Sequence, residues 1–577
     1  MKKILYSLLV LPLLFSCTRM LEEKNYGNPT TADLMKKEQN VALLVGQCYA
    51  DVKWLHDHWG YWGVVTLTAD EGLCPTRMPD KDWADGGYWR NLNTHNWNEM
   101  GGAFRNIWNT TIAGAVLCNK LLKTLNDYKS SMSDEVYAQY VGELEVMRSY
   151  YYYMLFDCFG RIPYLEEFVD KASDPLMEPE NVWSHLVDCL ERNAPNMAVV
   201  TDGNRALNYG RATQGFAYAL LARLYLNAES FGCTPSNITL TNSATTPINS
   251  AADFYTNCIR CCDAIIDAGS YSIEPDYFAN FKIDNSGSKE NIFVIVENGE
   301  ANIDERAGDD GMMLNKLRIA LLTLNYNHQK TYGLMETPWN GFCARPSFID
   351  RYAATDVRGP GNEGLGTNDT KQWGWFLGPI YDAAGNLCKD KDEDESDAII
   401  IKDIVDKDGN KSLAEATDLC GARCIKYEID KGGKYKYSEN DFVLFRYADV
   451  LWMKEEAILR GGSGTSGYNS ADFQTLRNRA FAYDSDPKAA YEAAYPNALT
   501  LDGILDERGR EFYWENMRRR DLIRFDKFNK ADYVEFVSAT DTWRNWFPIP
   551  YKILEKSVRD DNGNPVWTQN PGYPTSF

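Results

Sequence analysis

The chain has 577 residues, of which 44% are hydrophobic and 25% are charged, a composition typical of folded globular proteins rather than disordered or multi-span membrane proteins. Its 60 basic and 82 acidic residues give a formal net charge of -22 at pH 7, which repels phosphate backbones and excludes nucleic acid as an expected partner. The 16 Trp and 35 Tyr residues exceed what a core needs, so some rings are expected at a ligand surface.

The chain opens with an export signal. Lys2 and Lys3 precede an apolar run over residues 4–15, which is too short to span a bilayer. The segment that ends at Cys17 resembles a bacterial lipobox. We therefore expect residues 1–16 to be a lipoprotein signal peptide and Cys17 to carry lipid. A plain signal peptide with a chance cysteine is the alternative.

Beyond the signal, apolar residues recur mainly at helical spacing. Residues 17–31 are polar and are interpreted as a tether, and residues 32–577 are expected to form a single domain whose helix pairs stack as in tetratricopeptide repeats. Stretches rich in Gly, Asn, Asp and Trp, roughly 59–102 and 299–437, are expected to be loop insertions. Helices are predicted at 41–55, 103–125, 135–159, 181–193, 213–228, 251–268, 442–459 and 472–481.

A few short β elements are expected on the helical body. Residues 291–297 (NIFVIVE) form a β-branched run that predicts a strand. The segments at 382–386 (DAAGN), 406–410 (DKDGN) and 560–564 (DDNGN) predict tight turns. The second of these also suggests a calcium loop, but Gly and Glu are missing from the required positions, so a hairpin turn is favoured. The expected fold is therefore mostly α, with long loop insertions and a few short β-hairpins.

No residue cluster predicts a metal, a cofactor or a catalytic centre. The 14 cysteines include no repeated C-x-x-C pairs with His partners and are expected to be mainly small core residues. His56, His58 and His95 could suggest a metal site, but positions i and i+2 do not share a helical face and no fixed third ligand is visible, so these residues are interpreted as surface histidines near aromatic residues.

Acidic residues concentrate in one segment near the end of the chain. Glu507, Glu511 and Glu515 are spaced four apart, which predicts one helical face, and arginines surround them in the sequence. Such a cluster could suggest glycosidase carboxylates, but neighbouring guanidinium groups lower the pKa of a carboxyl group, whereas a general acid needs a raised pKa. The cluster is therefore predicted to be a structural network of ion pairs.

Six motifs follow one another along the chain: 143–163 (ELEVMRSYYYYMLFDCFGRIP), 210–226 (GRATQGFAYALLARLYL), 442–457 (FVLFRYADVLWMKEEA), 476–480 (LRNRA), 504–525 (ILDERGREFYWENMRRRDLIRF) and, counted together as the sixth, the terminal FPIP and QNPGY. In this order they resemble one known family, the SusD/RagB outer-membrane nutrient-binding lipoproteins of Bacteroidetes-type glycan-uptake systems. The similarity runs through nearly the whole chain. Gly509 and Asn516 depart from the family pattern at positions where Arg and Gly are common.

The resemblance implies a lipid-anchored protein of the outer membrane that faces the cell exterior. It implies capture of an oligosaccharide or polysaccharide, without catalysis, and delivery to a SusC-like TonB-dependent transporter. Two alternatives stay open. The same architecture could capture peptides or glycopeptides, and a glycoside hydrolase would require two carboxylates about 5 to 10 Å apart across an open cleft.

Two stretches carry candidate ligand-binding residues, because sugar recognition needs flat rings for the C–H faces and polar groups for the hydroxyls. In the family, loops corresponding to both stretches contribute ligand contacts. Whether these rings face a ligand or pack the loops onto the body stays open at this point, and Trp373 and Trp375 form a weaker third candidate pair. The candidates are Trp83, Tyr88, Trp89, Arg90, Asn91 and Asn93 in the first stretch and Tyr326, Asn327 and Trp339 in the second.

Overall fold

The computed structural model describes residues 38–75, 77, 85–169, 173–242, 247–297, 319–360, 373–389, 399–404, 416–431 and 438–575. The signal peptide, the tether and Cys17 lie outside these residues. Short strands are β1 (Asn291–Ile295), β2 (Gly374–Phe376), β3 (Gly378–Pro379), β4 (Ile400–Ile401), β5 (Arg423–Ile425) and β6 (Phe442–Arg446). The helices are α1 (Glu38–Gly46), α2 (Val52–Leu55), α3 (Tyr61–Leu67), α4 (Tyr88–Asn93), α5 (Gly102–Asp127), α6 (Asp134–Phe159), α7 (Pro179–Asn193), α8 (Arg205–Asn208), α9 (Gln214–Leu226), α10 (Ala251–Asp267), α11 (Ile319–Thr323), α12 (His328–Tyr332), α13 (Pro346–Ile349), α14 (Tyr447–Leu459), α15 (Ala471–Asn478), α16 (Pro487–Ala494), α17 (Leu501–Phe512), α18 (Arg518–Arg524) and α19 (Tyr551–Glu555).

Local hydrogen bonds explain where several long helices begin. The Ser133 hydroxyl accepts a bond from the Val136 N–H at the start of α6, at 3.3 Å. Ser250 and Asp253 form a capping box before α10, and Pro179 occupies the first turn of α7, where its missing N–H costs nothing. The helices predicted at 103–125, 135–159, 181–193, 213–228 and 251–268 are therefore confirmed within two residues of their expected bounds, whereas the helix predicted at 41–55 is divided into α1 and α2.

The helical body is built by packing of consecutive long helices. Helix α5 packs on α6, α6 on α7, α9 on α10, and α10 on α14. The absence of a side chain at Gly114 permits a close approach, because a Cβ there would lie 2.4 Å from the ring of Tyr151. The hydroxyl of that tyrosine donates to the Cys48 carbonyl at 2.7 Å. This arrangement confirms the predicted mostly α, repeat-like fold.

One predicted helix is wrong over its first five residues. Residues 442–446 form strand β6, which pairs antiparallel with β1, and helix α14 begins only at Tyr447. Both strands are buried along their whole length, so their backbone groups need partners, and pairing supplies them. Strand β1 ends at Ile295, and just beyond it the Glu297 N–H donates to the Asp441 carboxylate at 2.8 Å.

The remaining strands belong to the insertion between β1 and β6. Strand β2 pairs with β5 and β3 with β4, and a second apolar cluster separate from the main core lies beneath them. The predicted turns at 382–386 and 560–564 are confirmed, since an Asp carboxylate closes each through backbone N–H groups. The predicted turn at 406–410 lies outside the described residues.

The acidic segment near the end of the chain does not form one continuous helix. Helix α17 ends at Phe512, and the backbone then turns through Trp514 and Asn516, which both have positive φ angles of 59° and 69°. The prediction that Glu515 shares a helical face with the earlier glutamates is therefore wrong. Glu515 lies in the turn, where its carboxylate accepts from Lys426 at 2.5 Å.

The predicted network of ion pairs is confirmed, although its partners come from distant segments. The Glu511 carboxylate accepts from Arg446 at 3.0 Å, from Arg479 at 2.6 Å and from Arg358 at 2.9 Å. All four side chains are buried. The three guanidinium groups hold the pKa of Glu511 far below its usual range despite the opposing effect of burial. Glu511 therefore stays ionised, and its hydrogen bond with Arg446 joins α17 to strand β6.

The described cysteines lie where the sequence predicts them. All thirteen described cysteines are buried free thiols, which confirms their predicted place in the core. In the part of the chain that the structure describes, no helix combines the length and apolarity needed to cross a bilayer.

Candidate ligand-binding site

The first candidate stretch is shaped by two glycines. Gly86 and Gly87 have φ angles of 66° and 81°, a left-handed region that residues with a Cβ rarely adopt, and the turn they form leads directly into α4. At the start of this helix Tyr88 is half-buried, Trp89 is fully buried and Arg90 is exposed. The turn therefore decides which of three neighbouring side chains reaches the surface.

The half-buried ring of Tyr88 stacks on Trp59, which is also half-buried. Their ring centroids are 5.3 Å apart and the ring planes differ by 15°. The Tyr88 hydroxyl accepts from the Ala103 N–H at 3.2 Å. A Cβ at Gly102 would lie 3.3 Å from the indole of Trp59, so a glycine next to the ring leaves it room. Trp59 was not among the predicted site residues, although it borders the predicted loop insertion.

Rings from the second candidate stretch pack against the same group of aromatic side chains. Trp339, half-buried, lies with its ring 5.9 Å from that of His58, and Phe342 lies 5.5 Å from Trp89. The ring of His58 is in turn 5.5 Å from Trp89. We call His58, Trp59, Tyr88, Trp89, Trp339 and Phe342 the aromatic cluster. Its three half-buried rings come from segments more than 240 positions apart in the sequence.

Two predicted residues lie inside the protein. Trp89 is fully buried beneath the stacked pair, with its ring 4.7 Å from that of Trp59. The Asn93 side chain is also fully buried; it accepts from the Cys74 N–H and donates to the Leu67 carbonyl, both at 2.7 Å. Since neither side chain has surface to offer a ligand, we assign both to support of the loop and correct their assignment as contacts. Trp83 lies outside the described residues.

The remaining predicted polar residues are accessible in part. Asn91 and Asn327 are half-buried, as is Tyr326, whose hydroxyl donates to the Asp418 carboxylate at 2.8 Å. The backbone N–H and side-chain amide of Asn327 both donate to the Asn325 side-chain oxygen, at 2.9 and 3.1 Å. These contacts fix the orientation of the second stretch near Trp339.

The histidines differ from the sequence interpretation. His56, His58 and His95 are buried rather than on the surface. Burial lowers the pKa of His56 and of His95 to about 3, so both are neutral at neutral pH. The ring of His95 bonds to the Thr68 carbonyl at 2.7 Å. Among the described residues there is no group of three or more His, Cys, Asp or Glu side chains placed to hold a metal ion.

Comparison with known proteins identifies related sequences over most of the chain. A model of the SusD family matches residues 315–573, and a model described as starch-binding associating with outer membrane matches residues 64–226, so the two together cover more than half of the chain. The starch-binding protein SusD of Bacteroides thetaiotaomicron is 23% identical over 471 residues, which are 78% of this chain and 75% of that protein.

Solved structures of the same superfamily share the fold. Surface glycan-binding protein A from Bacteroides thetaiotaomicron, solved in complex with laminarihexaose, superposes with a TM-score of 0.65 at 18% identity and covers 92% of this chain and 99% of that chain. The protein of the same name from Bacteroides fluxus gives the same TM-score and identity, with 93% of this chain and 100% of that chain covered. At these identities the likeness shows the fold.

Proposed function

The chain belongs to the SusD family, and on that premise we propose that it captures an oligosaccharide at the cell surface. The observation that carries the proposal is the stacked pair of Trp59 and Tyr88 beside Trp339. The parts of these rings that remain exposed are apolar, and mutual contact holds the rings in place, which suits packing on the C–H face of a pyranose ring. Relatives described as starch-binding, or solved with laminarihexaose, support a glycan as the ligand.

Polar side chains near these rings are proposed to bind the sugar hydroxyls. Arg90 is exposed and Asn91 half-buried on α4, directly after Tyr88. Tyr326 and Asn327 supply a hydroxyl and an amide from the second stretch. Together these groups offer both donors and acceptors, as a sugar hydroxyl requires.

We propose capture without hydrolysis, because neither the carboxylates that the sequence suggested as glycosidase groups nor the buried Glu71 suit that chemistry. A glycosidase needs an accessible carboxylic acid with a raised pKa. The carboxylates of Glu507 and Glu511 pair with arginines, which lower their pKa values. Burial raises the pKa of Glu71 to about 8, but this side chain has no exposed surface from which to reach a glycosidic bond.

The site is proposed to work at the outer surface of the outer membrane, with lipid on Cys17 as the anchor. A SusC-like TonB-dependent transporter is the proposed partner that receives the glycan. Support comes from the lipobox-like segment and from the matching family described as associating with outer membrane. Cys17→Ala is expected to move the protein from the membrane fraction to the soluble fraction, and retention in the membrane would contradict lipid anchoring.

Native affinity electrophoresis tests capture directly. The chain beginning at Thr18 is run through gels that contain starch, laminarin, mucin O-glycans, glycosaminoglycans, or plant and fungal polysaccharides. Retardation by one glycan is expected, and a Trp59→Ala/Tyr88→Ala double variant is expected to lose it. Trp567→Ala is the matched control, because this half-buried tryptophan packs elsewhere, against Trp108.

The outcomes separate the site from the function. Equal retardation of both forms would uphold capture and move the site away from the aromatic cluster. Retardation by no glycan would contradict glycan capture, and calorimetry with peptide mixtures would then test peptides as the cargo.

A further inference from the structure

A cavity of about 290 Å³ lies beside strand β5, and none of its lining residues belongs to the aromatic cluster. Its walls include the side chains of Ile283, Ile425, Tyr332 and Trp373. The volume is at the lower end of the range typical of small-ligand pockets, which fits one sugar unit better than a chain of several. The function considered above makes no use of this cavity.

The aromatic walls are held by neighbouring rings. Trp373 is half-buried, and its ring centroid lies 5.1 Å from that of Phe278. Tyr332 is buried and stacks on His328 at 6.0 Å. An indole and a phenol in fixed positions can pack on the apolar face of a ring, and their π faces also attract cations.

Two carboxylates complete the lining. Glu428 is held in place, since one of its oxygens accepts from the Ile283 N–H at 3.0 Å and its own N–H donates to the Phe281 carbonyl at 2.9 Å. Asp430 is half-buried; burial and the charges of Glu439 and Glu428 raise its pKa.

Within the described residues, no ion pair balances the two carboxylates of this lining. Neither Glu428 nor Asp430 forms a salt bridge with any residue in the described part of the chain. The described lining residues carry two carboxylates and one ammonium group, which belongs to Lys431 at the exposed rim. A cationic ligand would gain from this imbalance, whereas a neutral ligand would desolvate the carboxylates without supplying a counter-charge.

We propose that this cavity binds an amino sugar, with its ammonium group between Glu428 and Asp430 and its ring against Trp373. The inference rests on the proposed glycan capture and names the class of glycan. The isoleucines and the indole accept the apolar ring face, and the carboxylates accept charge-assisted hydrogen bonds from the ammonium group. A basic side chain of a peptide carries the same positive charge as an amino sugar, but it lacks the sugar ring that would pack against these walls.

Isothermal titration calorimetry with the chain beginning at Thr18 tests the proposal. The probes are the glucosamine tetrasaccharide and its fully N-acetylated counterpart, which differ in charge and not in linkage. The glucosamine form is expected to bind at least tenfold more tightly. Asp430→Asn is expected to remove that preference, and it should fold normally because the Asp430 side chain forms no hydrogen bond in the described structure.

A charge-matched control separates the cavity from the general negative charge of the protein. Asp502→Asn changes the net charge by the same amount at a side chain that is 85% exposed and lies in α17. It is expected to keep the tenfold preference. If Asp502→Asn reduced the preference as much as Asp430→Asn, the attraction would be long-range and the cavity proposal would be overturned. Equal binding of the two tetrasaccharides by the unaltered chain would overturn it as well.

The outcomes distinguish failure of the cavity proposal from failure of the proposed glycan capture. Binding of a neutral glycan that is lost in Trp59→Ala/Tyr88→Ala, with no preference for glucosamine, would overturn the cavity proposal and leave the proposed function standing. If neither a charged nor a neutral glycan binds, both the cavity proposal and the proposed glycan capture are contradicted. Tight binding of tetralysine that depends on Asp430, without binding of the glucosamine form, would assign the cavity to peptides and also overturn the proposal.

Discussion

Arg345 donates from Nη2 to the carbonyl oxygen of Asn93 at 2.7 Å and so ties the end of α4 to the start of α13. Its Nε donates to the carbonyls of Ala69 and Gly72 at 3.0 and 3.2 Å, and Nη1 donates to the Glu535 carbonyl. The guanidinium is fully buried, and burial lowers its pKa to about 10. One planar fork of donors therefore joins four backbone segments beneath the aromatic cluster.

We expect Arg345→Lys to fail as a conservative substitution. A single ammonium group cannot reach all four carbonyls, which lie on three other segments, and each buried carbonyl left without a donor costs about 1–3 kcal/mol. The free energy of unfolding, measured with urea, should fall by about 3 kcal/mol. Glycan retardation should weaken too, because α4 carries Tyr88. Arg105→Lys, at an exposed position in α5, should change stability by less than about 0.5 kcal/mol. Equal stability of the two variants would contradict this role.

The glycine turn before α4 gives a second prediction. Gly86→Ala places a Cβ at a φ of 66°, where no neighbouring atom lies within 4 Å, so the cost comes from the backbone alone. We expect a loss of about 1 kcal/mol in the free energy of unfolding. Gly46→Ala is the matched control, because Gly46 also has open space around it but has a helical φ of -53°. That substitution should stabilise the protein slightly. The same sign for both variants would show that backbone strain does not shape the turn.

Removal of one charge from the buried ion network should be strongly destabilising. Glu511→Gln keeps the shape of the side chain but leaves Arg358, Arg446 and Arg479 without their shared carboxylate. Breaking a buried pair on one side costs about 3–5 kcal/mol. Urea unfolding at pH 7 measures the loss. Asp502→Asn removes an exposed carboxylate 3.8 Å from Lys527 and should cost less than about 0.5 kcal/mol. A small effect of Glu511→Gln would refute the structural role of the network.

Glu71 should make stability fall as the pH rises. Burial, followed by the charge of Asp70, raises its pKa to about 8, although the Trp514 N–H bond acts in the opposite direction. The folded state thus holds this proton more tightly than the unfolded state does. Its contribution is fully present below about pH 4.5 and is lost as the pH rises to about 8, with an amplitude on the order of 5 kcal/mol.

The contribution of Glu71 can be isolated by comparing how the free energy of unfolding depends on pH in the unaltered chain and in Glu71→Gln. Glu71→Gln mimics the protonated acid, so its unfolding free energy should fall less between pH 5 and pH 8 than that of the unaltered chain. Glu492→Gln, at a side chain that is 49% exposed and pairs with Lys488 in α16, should follow the unaltered profile. Parallel profiles for all three proteins would show that Glu71 ionises normally in the folded state.

The sequence by itself determined the family, the mostly α fold and nearly every long helix. Helical periodicity, capping residues and turn residues act over a few positions, so they can be interpreted without knowledge of distant contacts. The arginine-rich segment around Glu511 was predicted as a structural network for the same reason, because its composition already lowers the pKa values of its carboxylates. The candidate ligand stretches with Tyr88 and Trp339 were also chosen from the sequence, and their role in binding stays a prediction.

Only the tertiary structure decided which rings remain at the surface. Trp89 and Trp59 are alike in sequence terms, but Phe342 and His58 cover the first, while Gly102 leaves room for the second. Residues 442–446 became a strand because β1, about 150 positions earlier, supplies its hydrogen-bond partners. Exposure and strand pairing depend on segments far apart in the chain, and local propensity carries no information about which of these segments meet.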